Sequence, residues 1–256
     1  MSLKQDTLSI LEVFSPISLA EMKSVKLMNR VDTKYVAPVS MLKDLLKNSI
    51  SDYRAQVNEG KVVAAYDTLY FDTENLDMYT RHHDKYLTRN KIRTRTYVDS
   101  AISFLEVKHK NNKGRTKKKR IVITEEDFGN FNGNEAAVEF LRGQVTYNNK
   151  ELKPQLRTIF NRITLVNNNL TERLTIDFNL RFENKQTGKV SELPNVMIIE
   201  LKQDGHQNSK MKNILIDLHI TPFRISKYCI GTVLTNDNVK YNRFKTKIIY
   251  LNKISK

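Results

Sequence analysis

Apolar and polar side chains alternate strictly through much of this chain, and a period of two marks a strand with two unlike faces. In Phe104-Leu105-Glu106-Val107-Lys108-His109-Lys110, Leu105 and Val107 share one face, while Glu106, Lys108 and Lys110 share the other. Arg173-Leu174-Thr175-Ile176-Asp177-Phe178 repeats the split. The pattern predicts strands over 30–36, 64–72, 91–98, 102–110, 119–124, 159–165, 173–181 and 196–202. Polar, turn-rich breaks at 111–119, 143–150 and 183–189 read as hairpin or connecting loops inside one domain. Helical spacing is sparser. Ser18 and Glu21 have capping-box spacing and open a stretch running to Leu27. Further helices are predicted over 38–49, 125–141, 209–218 and 237–254, the second of these interrupted by Gly129 and Gly133. Eight strands in hairpin-like succession predict an α+β fold: a closed antiparallel eight-stranded β-barrel with short helices outside, one domain over 1–256.

The polar faces of these strands change the picture. Lys91, Arg93 and Arg95 share a face, as do Arg30, Asp32 and Lys34, and Glu200 and Lys202. An ordinary antiparallel sheet turns such a face to water. Here the polar faces mix Arg and Lys with isolated acids and carry few neutral polar residues. The apolar faces of the helices also need a partner, and the apolar sheet face is the one available. The charged face then points into the barrel. The chain has 43 Lys+Arg against 28 Asp+Glu, a net charge of +15, which calls for a strongly anionic partner. Buried like charges are costly unless paired or hydrated, so a wet, cation-lined lumen makes sense when its occupant is a polyanion. A linear phosphate chain offers oxygens on every side to Arg forks and Lys point charges. Nucleic acid is disfavoured, because the charged faces carry almost no aromatic residues for base stacking.

Several classes fall away. Cys229 is the only cysteine, so no internal disulfide forms, which fits a reducing compartment. The first residues lack a secretion pattern. No apolar stretch approaches the roughly 18 residues needed to cross a bilayer. The expected location is the cytoplasm, with any membrane link through a separate partner. There is no Walker loop, no Ser-His-Asp arrangement and no Cys/His cluster. His82 and His83, beside Arg81 and Asp84, read as a surface loop. His109, His206 and His219 show no ligand spacing, and Cys229 reads as a packed thiol.

Eight segments in order carry a family resemblance over about Asn29 to Thr232. They are Arg30-Val31-Asp32-Thr33-Lys34-Tyr35, Leu69-Tyr70-Phe71-Asp72-Thr73, Lys91-Ile92-Arg93-Thr94-Arg95, Phe104-Leu105-Glu106-Val107-Lys108, Phe160-Asn161-Arg162, Arg173-Leu174-Thr175-Ile176-Asp177, Ile199-Glu200-Leu201-Lys202 and Arg224-Ile225-Ser226-Lys227-Tyr228. The chain resembles the VTC catalytic domain, the polyphosphate polymerase module of the vacuolar transporter chaperone complex, within the triphosphate tunnel metalloenzymes.

The resemblance implies roles. Lys34, Arg93, Arg95, Lys108, Arg162, Arg173, Lys202 and Lys227 would grip phosphate oxygens, with Arg30, Lys91, Lys119, Arg224 and Ser226 in the same track. Arg93, Arg95, Lys108, Arg162, Lys227 and Glu200 would act in the transfer, and Glu200 would hold Mn²⁺ or Mg²⁺. The run Lys117-Lys118-Lys119-Arg120 would supply cations at alternate positions. Asp32, Glu106 and Asp177 read as internal partners of neighbouring cations. There are departures. Arg224 falls where the fungal polymerase has Lys. Hydrolytic relatives open with Glu-x-Glu-x-Lys, but here the strand reads Arg30-x-Asp32-x-Lys34. The expected ligands are ATP, polyphosphate and inorganic triphosphate or pyrophosphate. The expected activity is a polyphosphate polymerase. A metal-dependent triphosphatase and a non-catalytic polyanion binder stand as alternatives.

Overall fold

A computed structural model describes residues 5–22, 30–205 and 208–255. The end of the expected first helix (23–27), Asn29 and His206 lie outside the described residues. The order is α1 (Gln5–Val13), β1 (Pro16–Ser18), α2 (Leu19–Met22), β2 (Arg30–Pro38), α3 (Leu42–Lys47), β3 (Tyr53–Val57), β4 (Val63–Asp72), α4 (Asp77–His83), β5 (Arg89–Tyr97), β6 (Ile102–Lys110) and β7 (Thr116–Ile123). It continues through α5 (Glu135–Arg142), β8 (Lys153–Asn167), β9 (Glu172–Asn184), β10 (Val190–Leu193), β11 (Val196–Asp204), α6 (Lys210–Asp217), α7 (Lys227–Thr235) and α8 (Lys245–Ile254). None of the described helices is long and apolar enough to cross a membrane.

One curled sheet collects the strands in the order β2-β11-β9-β8-β4-β5-β6-β7, antiparallel throughout this path. Its convex face carries the apolar alternation. On one half, Ile163, Leu174, Ile176 and Ile199 pack under α1, α3 and α6 through Leu11, Leu45, Leu46 and Leu215. On the other half, Leu69, Ile92, Leu105 and Val107 pack under α5 through Ala137 and Leu141. Each sheet face therefore meets the partner that its period-two pattern demands.

The expected closed barrel gives way to a curled half-barrel. Among the described residues, β2 pairs only with β11 and β7 only with β6, so hydrogen bonds do not close the path. The reason lies in the two end strands. Residues 117–120 of β7 and Arg30 and Asp32 of β2 are exposed and charged, and charged edges resist pairing. A second difference is that α7 packs inside the curl. Its Tyr228 and Ile230 meet Leu156, Phe160, Leu180 and Phe182, which point to the concave side. Gly231 allows that approach, because a Cβ there would stand 2.5 Å from the Phe182 ring and 2.6 Å from Leu156. A left-handed residue, Asn179 at φ 53°, interrupts the alternation so that Asp177 and Leu180 both face inward.

Candidate functional site

Register brings the charged positions together. Lys91 stands opposite Lys108, Arg93 opposite Glu106 and Arg95 opposite Phe104. Arg162 stands opposite Asp177, Arg173 opposite Lys202 and Lys34 opposite Glu200. Curling then brings the two halves within each other's field: Lys108 on β6 senses Glu200 and Lys34 from β11 and β2. The N-terminus of α7 ties them. Ser226 Oγ accepts from Lys91 Nζ at 2.8 Å and caps the helix by accepting from the Cys229 amide. The Lys227 ammonium donates to Asp177 and lies 4.4 Å from the Phe160 ring centroid. Lys34 Nζ donates to the Ile225 carbonyl at 3.4 Å.

Three carboxylates offset part of this charge. Glu106 is fully buried and accepts from Arg93 Nε at 2.8 Å and Nη2 at 2.6 Å, and from Lys118 Nζ at 2.7 Å. Asp177 accepts from Arg162 at 2.5 and 2.7 Å as well as from Lys227. Glu200 accepts from Lys202 at 2.5 Å, with Lys34 at 3.6 Å. Burial pushes all three carboxyls up, but the surrounding cations outweigh it and hold each below the ordinary range. Other cations of this face remain. Among the described residues, no carboxylate lies within ion-pair distance of Lys91, Arg95, Lys108 or Arg173. Lys108 is pulled down by Arg93 and then by burial; Lys91, Arg95 and Arg173 are pulled down chiefly by burial. Arg95 is buried and Lys91, Lys108 and Arg173 are half-buried; cations withdrawn from water without a carboxylate are costly, so the face is built to receive negative charge.

Not every expected residue joins the set. Lys119 pairs with Val107 and faces the convex side, while Lys118 and Arg120 face Glu106. Arg30 sits exposed at the rim, paired with Asp32 at 2.7 Å. Arg224 is also exposed, and its carbonyl accepts from Lys247 at 2.5 Å. The histidines differ from expectation, because His82 and His83 lie on α4. His83 is buried between Asp84 and Asn242, each at 2.7 Å. Burial, with Lys91 and Arg89, holds His82 down at about 2. Cys229 is a buried thiol, as its apolar setting predicts.

Aromatic residues are the larger omission, for the concave face carries Tyr66, Tyr70, Tyr97, Phe104 and Phe160 between the cations. The alternation from Arg95 to Tyr97 and from Glu106 to Phe104 held that signal. Burial pushes the Tyr70 phenol up, but Arg93, Arg95, Lys91 and Lys227 bring it down to about 8. Its Oη accepts from Arg93 at 3.2 Å. Asp72 of the same strand has a structural task. It accepts from the amides of Thr73, Met78 and Tyr79 at the start of α4, and from the Tyr228 hydroxyl at 2.5 Å.

The donor set does not fit a resident divalent ion. Among the described residues, no three His, Cys, Asp or Glu side chains gather as metal ligands. Glu200 is flanked by lysines on both oxygens, and Glu106 and Asp177 are saturated by cations. A divalent ion held here would take most of its oxygen ligands from water or substrate phosphates.

A family model described as the VTC domain matches residues 29–236. Comparison with curated proteins gives no match. Among solved structures, the chain is similar to the candidate adenylyl cyclase HpAC1 from Hippeastrum, described as having a dominant triphosphatase activity. The TM-score is 0.50 at 14% identity, covering 80% of this chain and 96% of that one. It is also similar to a protein from Vibrio parahaemolyticus described as a candidate adenylate cyclase, with TM-score 0.48 and 12% identity, covering 80% of this chain and 99% of that one.

Proposed function

From the premise that the chain belongs to the VTC domain family, we propose that it transfers the γ-phosphoryl group of ATP to the end of a polyphosphate chain held on the concave cationic face. The observation that carries this reading is the set Lys91, Arg95, Lys108 and Arg173, inward-facing and without carboxylate partners among the described residues. Their uncompensated positive charge matches a polyanion better than any neutral substrate.

The reaction needs little covalent help. A terminal oxygen of the phosphate chain attacks the γ-phosphorus, the bond to the β,γ-bridging oxygen breaks, and ADP leaves. The attacking phosphate is already ionised, so no protein base is required. Catalysis then rests on alignment and charge neutralisation. Arg93, Arg95, Lys108, Arg162 and Lys227 would meet the phosphoryl oxygens, while Lys34, Lys91, Arg173, Lys202 and Ser226 would steady the chain. Arg30 and Arg224 would draw it in at the rim. Glu106, Asp177 and Glu200 keep the cation side chains in place. All three are held ionised below the ordinary range, which makes them weak bases for activating water. The Mn²⁺ or Mg²⁺ expected at Glu200 would have to displace Lys202 and Lys34. A cytoplasmic location, as expected from the sequence, would supply the ATP.

The triphosphatase activity described for HpAC1 favours a second reading, in which water takes the γ-phosphoryl group. One incubation with ATP and Mn²⁺ separates the two. A ladder of polyphosphate on a gel, lost in Arg95→Ala, supports polymerisation. Free phosphate without a ladder supports hydrolysis. The absence of both products contradicts each reading.

A further inference from the structure

The concave face changes character at the β5–β6 hairpin. Beyond Arg95 and Glu106, the same inward phase continues as Tyr97, Ile102, Phe104 and Val122, with Tyr97 opposite Ile102 and Phe104 opposite both Arg95 and Val122. Ile102 is 44% exposed and Val122 67%, while Tyr97 and Phe104 are half-buried. Arg120 lies 4.1 Å over the Phe104 ring and donates to the Tyr97 hydroxyl at 3.3 Å. Tyr97 packs on Tyr66 at 5.0 Å and edge-on to Phe104 at 5.7 Å. The result is a firm aromatic platform topped by a guanidinium, beside the edge strand β7.

Inorganic phosphate has no use for such a surface, whereas a nucleobase does. Stacking on an aromatic or guanidinium plane is a recurrent way to hold a base. The platform also adjoins the phosphate track, since Phe104 directly opposes Arg95. Alternate residues on a strand stand roughly 7 Å apart, so Arg93 lies one step further in. We infer that Tyr97, Phe104 and Arg120 seat the base of a nucleoside triphosphate whose phosphates lie on Arg95 and Arg93. The nucleotide thus enters at the β5–β6 hairpin. This inference rests on the phosphate-transfer reading above and adds the nucleoside site and direction of entry. Because stacking tolerates any base, ATP and GTP should bind with similar affinity.

The test compares ATP, GTP and inorganic tripolyphosphate by calorimetry on the full chain and on Phe104→Leu, which retains apolar bulk. Tyr97→Leu serves as a second variant. The expected result is roughly tenfold weaker ATP and GTP binding in each variant, the scale of one lost stacking contact, with tripolyphosphate unchanged. Equal losses for all three ligands, or no loss for ATP, overturn the nucleoside site but leave the phosphate track standing. So does concentration-dependent dimerisation abolished by Phe104→Leu with ATP affinity unaltered, which would assign the surface to a second copy. Failure of the unaltered chain to bind any of the three overturns both readings.

Discussion

Replacing Lys108 by Met should stabilise the phosphate-free protein and weaken its hold on phosphate chains. The two side chains have similar length, and Lys108 makes no ion pair among the described residues. Its ammonium is opposed first by Arg93 and then by burial, with Glu200 too weak to compensate. Replacing buried ionic groups with packed apolar ones commonly returns about 1–4 kcal/mol. At about 2–4 °C per kcal/mol for a chain near this size, the melting temperature without ligand should rise by several degrees. Saturating tripolyphosphate should narrow that gap, because a charge-assisted hydrogen bond of about 1.5–3 kcal/mol is lost in the variant. The assay is thermal melting in phosphate-free buffer, with and without tripolyphosphate, supported by calorimetry. A variant that melts lower without ligand, or gains as much from tripolyphosphate as the unaltered chain, would refute the reasoning.

The pH response follows from two groups. Burial lowers Lys227 to about 8 despite Asp177, and neighbouring cations bring Tyr70 to about 8. Above pH 8 the ammonium loses its charge and the phenol gains one, so calorimetry should show tripolyphosphate affinity falling from pH 7 to 9. Both folded values lie below the unfolded ones, so between about 8 and 10 the unfolded chain binds more protons. Stability from these groups therefore rises with pH, and the rise should shrink in Lys227→Met melts. Gly231→Ala forces a methyl against Phe182 and Leu156. Overpacking costs about 1–3 kcal/mol, and Ala returns about 1 through helix propensity. Melting should drop by a few degrees and tripolyphosphate binding should weaken as Ser226 and Lys227 shift; a higher melting temperature with full affinity would contradict this packing. Since the lysines flank both Glu200 oxygens, tripolyphosphate should bind in EDTA within about threefold of its affinity in Mn²⁺. A hundredfold loss would show that a metal completes the site.

The eight paired strands of the main path were legible because alternation survives in single strands such as 102–110 and 173–178. Which face met the helices was legible too, since Leu105 and Leu174 had only one kind of partner to find. Closure was not, because a period of two says nothing about whether the two end strands meet. Lys119 illustrates a phase error: in Lys117-Lys118-Lys119-Arg120 every position is basic, so only the pairing of Lys119 with Val107 assigns the faces. The helix α7 was hidden because Ser226 and Lys227 read as site residues, while its packing depends on Gly231 meeting two distant strands. His83 looked exposed beside Arg81 and Asp84, and Asn242, far away in sequence, buries it.

The most direct measurement is a crystal structure of the chain soaked with tripolyphosphate in phosphate-free mother liquor. The account predicts three phosphoryl groups on the concave face, with oxygens in hydrogen-bonding range of Lys91, Arg95, Lys108 and Arg173. Phosphate density confined to the outward-facing lysines of β7, with those four cations bare, would contradict it.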